Sequence, residues 1–180
     1  VALVALIVAA ISGFIAWFNI GGSGFSLMDA YVLVLGYASR GVAAFGTQLG
    51  AIVYSATTGH PDLLVAFVIV LVFWPAMVVS GLVEIVGRGV RPHPGIYGII
   101  AFIASYFFVN AASSRGLVPS GSMALGTGAW LSLAAIIIFF VAYGIYSGER
   151  SRARSRAEEL RRQPGPAEGT VERGVQRPAS

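Results

Sequence analysis

The sequence predicts an all-α membrane protein: a transmembrane helical bundle of four spans, five if one further segment enters the bilayer, with a disordered basic C-terminal tail. Two observations carry this. Apolar residues make up 56% of the 180 residues and charged residues 11%, with a mean hydropathy of +0.78, whereas a soluble domain has roughly a quarter of its residues charged. The charges are also segregated, because only Asp29, Arg40, Asp62, Glu84, Arg88, Arg91 and Arg115 precede Glu149. The apolar runs between them have the length of about 20 residues that a helix needs to cross the hydrocarbon core. Residues 1–148 are therefore the transmembrane bundle, and residues 149–180 a cytoplasmic, arginine-rich tail.

Four runs meet that length: Val1 to Ile20, Leu63 to Val86, Gly95 to Ala112 and Gly126 to Ser147. They are continuously apolar rather than alternating, and in lipid only helices or closed barrels satisfy their own backbone, so each is expected to be a helix. The first run has no basic residues before it and continues through Trp17 and Phe18, which marks a retained span rather than a signal peptide.

Arg88 and Arg91 lie between the second and third runs, and Arg150, Arg152, Arg154, Arg156, Arg161 and Arg162 follow the fourth. Both clusters are expected on the cytoplasmic side, giving a multi-pass protein of the cell membrane with its C-terminus inside. The aromatic residues fit, with Trp17, Tyr106 and Trp130 near the outer interface and Tyr143 and Tyr146 near the inner one. The net charge of +4 is concentrated behind a hydrophobic run, so it reads as a topology signal and not as a nucleic-acid surface. The expected partners are the lipid bilayer and other membrane subunits or a second copy of the chain.

Residues 21–62 form an outer or membrane-dipping segment. Gly21 to Gly24 reads as a flexible connector and Thr57 to Pro61 as a second. Between them, 29–56 is mostly apolar and is either an outer, partly helical segment or a fifth helix. At helical spacing Gly36, Arg40, Ala44, Thr47, Gln48, Ala51 and Ser55 share a small, polar face. An arginine inside a span costs about 2.5–3.5 kcal/mol on insertion scales, so Arg40 within a bundle would have to face water. Arg40 and Gln48 are accordingly the residues of a possible polar path. The tail opens with a helix-compatible run, Glu149 to Arg162, ended by Pro164-Gly165-Pro166.

The remaining polar residues have structural readings. Glu84 and Arg88 stand four apart with the acid first, the spacing and order of an intrahelical ion pair. His60 and His93 are expected on opposite sides of the membrane and so cannot share a metal or haem; no cofactor is expected. Asp62 caps the second span, and Pro75 after Trp74 shapes it. Gly46 with Gly50, and Gly128 with Ser132, permit close helix approach. No cysteine is present and no Walker, HExxH or GxSxG motif, and Ser120 and Ser122 have no histidine beside them, so the chain is expected not to be an enzyme.

In layout the chain resembles small prokaryotic four-span proteins of claudin-like organisation. The resemblance rests on a first span ending in Ala16-Trp17-Phe18, an outer connection beginning Gly24-Phe25-Ser26-Leu27-Met28-Asp29, the basic inner turn from Gly87 to Pro92, and a last span opening Gly126-Thr127-Gly128-Ala129-Trp130. It covers roughly residues 1–148 and implies no barrier function, because the paired cysteines and outer-loop tryptophan signature of claudins are missing. A scaffold or accessory subunit of a membrane complex is the reading these features support, with a small oligomeric transporter or channel as the alternative.

Overall fold

The computed structural model describes residues 1–40, 47–86 and 93–162, with the side chains of 38–40 and 160–162 left aside. It divides into two compact units, Val1–Gly144 and Ile145–Ser180. Mostly helical, it contains α1 (Ala2–Ser12), β1 (Ala16–Ile20), β2 (Ser23–Ser26), α2 (Leu27–Arg40), α3 (Gln48–Gly59), α4 (Pro61–Val86), α5 (His93–Ser114), β3 (Met123–Leu125) and α6 (Thr127–Arg162). Among the described residues three helical stretches are long and apolar enough to cross a membrane: Pro61–Val86, His93–Ser114 and Thr127–Glu159.

The first twenty residues correct the expectation of one helical span. The Ser12 hydroxyl donates to the Ala9 carbonyl (2.7 Å) and Gly13 follows, so α1 stops after 11 residues. A Cβ on Gly13 would lie 2.2 Å from the Trp74 ring; the missing side chain is what lets that indole cross the helix end. The chain then extends as β1, the central strand of an antiparallel sheet of order β2-β1-β3. Gly21 and Gly22, at φ +57° and +85°, make the two-residue turn that sets Ile20 opposite Ser23. Positive φ at both positions is the signature of a type I′ hairpin, so the expected flexible connector is a tight turn. β3 comes from the distant connection before α6 and pairs Phe18 with Leu125 and Ile20 with Met123.

The segment 29–56, expected as one outer segment or one fifth helix, folds as parts of two helices. Ser26 and Asp29 form a reciprocal capping box at the start of α2: the Ser26 amide donates to Asp29 Oδ2 (2.7 Å) and the Asp29 amide to Ser26 Oγ (3.1 Å). Thr47 caps α3 by accepting from the Gly50 amide (3.0 Å). Ala44 and Gly46 lie outside the described residues, as do Arg88, Arg91 and residues 163–180, on which the expected Glu84–Arg88 pair and the disordered tail depend.

The core of the first unit forms along α4. Residues 5–18 run antiparallel to it: Leu6 reaches Gly81, the Trp74 indole N–H reaches the Ala9 carbonyl (3.2 Å) and Ser12 Oγ (3.3 Å), and Phe18 meets Phe108, which in turn meets Phe67, each ring pair at 5.5 Å. Buried Gly98, Ala101, Ala104, Ser105, Ala111 and Ala112 line α5, small residues of the kind that let membrane helices approach closely. At the start of α6, Gly126 and Gly128 lie against backbone; added Cβ atoms would come within 2.2 Å of the Ala16 carbonyl oxygen and 2.5 Å of that of Ser12. The described part of the second unit, residues 145–162, is helical, and Arg150, Arg152, Arg154 and Arg156 are exposed on it.

Candidate functional site at the two ends of the central hairpin

α4 and α5 are antiparallel neighbours, and their ionisable ends meet in pairs. Between Asp62 and Glu84, α4 carries no charge, and between His93 and Arg115, α5 carries none. Each interval is 22 residues by numbering, or about 33 Å at helical rise, close to the roughly 30 Å of a hydrocarbon core. The hairpin thus has a charge-free middle of bilayer thickness, with an ionisable pair at each end.

Local structure positions the first pair. His60 ends α3, its amide donating to the Ala56 carbonyl (3.1 Å), and its own carbonyl receives the Leu63 amide (3.0 Å). Pro61 begins α4, where its missing N–H costs nothing, and Asp62 follows in the first turn. At the other side, α5 closes in a Schellman motif: Leu117 N–H donates to the Ala112 carbonyl (3.1 Å), Gly116 N–H to that of Ser113 (3.2 Å), and Gly116 has φ +68°. This fixes Arg115 opposite Asp62. Its guanidinium donates to both carboxylate oxygens, at 2.6 and 2.5 Å, and Nη1 lies 3.1 Å from His60 Nδ1. Both ionic side chains remain part-exposed, Arg115 at 34% and Asp62 at 40%.

At the far end Glu84, 11% exposed, meets His93 Nδ1 at 3.3 Å, while the histidine is 53% exposed. His93 is the first residue of α5. Ser80, one turn back on α4, sends its hydroxyl to the Met77 carbonyl (3.4 Å). The two histidines fall at opposite ends of α4.

Arg40 is the last residue of α2, its side chain among those left aside, and Gln48 opens α3 on the surface, beside Gly21 of the hairpin turn. Ser132, buried on α6, has no hydrogen-bond partner among the described residues. Two further interactions have no counterpart in the sequence reading. The Trp17 indole donates to Ser105 Oγ (2.8 Å), itself bonded to the Ala101 carbonyl (2.8 Å), and the Tyr31 hydroxyl donates to the Leu71 carbonyl. For Arg115 the available signal was its place just after an apolar run of the same length as the one that follows Asp62.

Along the outward face between α4 and α5, below Asp62, runs an apolar groove of about 590 Å³ walled by Val65, Ile69, Ile100, Ile103 and Phe107. Among its lining residues Asp62 is the one that bears a charge.

These features define a class: a mostly helical protein with, among the described residues, three helices long and apolar enough to cross a membrane, consistent with a multi-pass membrane protein. In comparison with known proteins, the chain matches no family model, no curated protein and no solved structure.

Proposed function

We propose that this chain is a non-enzymatic subunit of a membrane assembly, a scaffold or accessory component, held in the cell membrane with its C-terminus cytoplasmic. In this reading the claudin-like layout holds and the first twenty residues make a fourth crossing, half helix and half strand. Eleven helical and five extended residues give about 16 Å each, together a bilayer thickness. β1 is hydrogen-bonded by strands on both sides, and the outer edges of β2 and β3 need protein or headgroup cover, since an open sheet edge has no place in lipid.

The observation that carries the proposal is the character of the interior. The buried polar side chains among the described residues are Ser12, Ser105 and Ser132, and the hydroxyls of Ser12 and Ser105 bond to indoles and carbonyls within the core. A transport path needs charged or amide groups facing a cavity. Outward, Leu3, Val4, Ile7 and Ile11 of α1 and Val32 and Leu35 of α2 present apolar surface, suited to lipid and to neighbouring helices.

Crosslinking in cells followed by purification in mild detergent tests this. The chain is expected in an assembly with another membrane protein or with itself, and proteoliposomes holding it are expected to show no solute or ion flux. A lone monomer after crosslinking, or flux above that of empty liposomes, overturns the proposal.

A further inference from the structure

We propose that the groove between α4 and α5 is a specific site for one phospholipid with a zwitterionic, primary-ammonium headgroup, its acyl chain in the groove and its head at the Asp62–Arg115 pair. The proposal rests on α4 and α5 crossing the membrane, and goes beyond the scaffold reading.

Shape comes first. Asp62 to Ile69 on α4 and Phe107 to Ile100 on α5 are each seven residues by numbering, a trough about 10 Å long. Its volume of about 590 Å³ lies within the roughly 300–1,000 Å³ of small-ligand sites. The walls carry only aliphatic and aromatic side chains, matched to an acyl chain. This much would hold for any lipid.

The mouth supplies the selection. Asp62, at the end of the groove, is already in contact with the Arg115 guanidinium, and each side chain is a little more than a third exposed, 40% and 34%. A singly charged ligand would satisfy one and repel the other. A phospholipid whose phosphate is followed by an ammonium group carries both complements: the phosphate accepts from the Arg115 N–H groups that Asp62 does not use, and the ammonium donates to Asp62. A quaternary ammonium has no N–H to donate, so a choline headgroup loses that bond, while a neutral glycerol headgroup lacks the cation and leaves the phosphate charge uncompensated beside Asp62. His60 Nδ1, 3.1 Å from Arg115 Nη1, holds the guanidinium from a second side.

The test is native mass spectrometry of the full chain, released from detergent after exchange into equimolar phosphatidylethanolamine, phosphatidylcholine and phosphatidylglycerol. One ethanolamine lipid per chain is expected, retained about tenfold over the other two, the equivalent of one charge-assisted hydrogen bond. D62N is expected to abolish the preference over choline lipid, and R115Q to lower retention of all three. The bulky V65W and I103W, at exposed groove positions, are expected to expel the lipid, with thermal unfolding confirming that each variant is folded. Equal retention of the three lipids by the unmodified chain means an ordinary lipid annulus and overturns the proposal, whatever the variants do. So does a preference for the anionic lipid, retention unchanged in a folded V65W or I103W, or a lipid-free dimer, which would place a second copy in the groove. A chain that is soluble and monodisperse without detergent overturns the membrane reading underneath.

Discussion

The Tyr31 hydroxyl donates to the Leu71 carbonyl, the acceptor that Pro75 leaves without its helical donor. A proline has no N–H to give the residue four positions earlier, and in an apolar setting a free carbonyl is expensive. α2 therefore does more than pack on α4: it supplies the hydrogen bond that the proline removes. Trp74, next in sequence, reaches across to α1, so the interrupted turn of α4 is held from two sides.

The Tyr31–Pro75 relationship is testable by a double-mutant cycle. Tyr31→Phe is expected to destabilise the protein by about 1–2 kcal/mol. In a Pro75→Ala background, where residue 75 regains its N–H, the same change is expected to cost less, with a coupling of about 1 kcal/mol. Denaturant unfolding in detergent measures all four variants, and strict additivity would dissociate the two residues.

The buried serines are expected to differ. Ser105→Ala leaves the Trp17 indole N–H without its partner in the core and is expected to cost about 1–3 kcal/mol. Ser132→Ala removes a buried hydroxyl that has no partner among the described residues, and is expected to be neutral or stabilising. Thermal unfolding of the two variants side by side checks this contrast.

At the start of α6 the glycines are expected to be irreplaceable. Alanine at Gly126 or Gly128 would drive a methyl group into the backbone of residues 12–17, which cannot yield as a flexible side chain would. A loss of about 1–3 kcal/mol or more is expected from overpacking. Gly144→Ala, with nothing within 4 Å of the new methyl, is the control and is expected to be neutral or to stabilise the helix by up to about 1 kcal/mol. Folded yield in detergent and the unfolding midpoint report both.

What could be read from the sequence follows from how local each signal is. The runs expected from Leu63 to Val86 and Gly95 to Ala112 became α4 and α5 within two residues at each end, because a charge-free run bounded by ionisable groups and proline has few ways to fold in lipid. The run from Gly126 became α6, which continues past Ser147 through the arginine-rich stretch. Val1 to Ile20 is as apolar as the others, and a continuous apolar run does not distinguish helix from strand. The deciding signals were small: Ser12-Gly13 as a stop, and Gly21-Gly22 between two short runs as a hairpin turn. Ser26 and Asp29 likewise announce a helix start. The pairing of β3 with β1 joins residues over a hundred positions apart and has no local signature. The Asp62–Arg115 contact depends on the register of two helices, which composition alone does not set.

The central claim is that the α4–α5 hairpin crosses the bilayer with its Asp62–Arg115 and Glu84–His93 pairs on opposite faces. Cysteine labelling tests it directly in this cysteine-free chain. Ser114→Cys stands beside the first pair and Val86→Cys beside the second, both exposed. A membrane-impermeant thiol reagent on intact cells is expected to label Ser114→Cys and not Val86→Cys, with both reacting once the cells are permeabilised. Labelling of both from outside, or of neither until permeabilisation, would put the two ends on one side of the membrane and contradict the account.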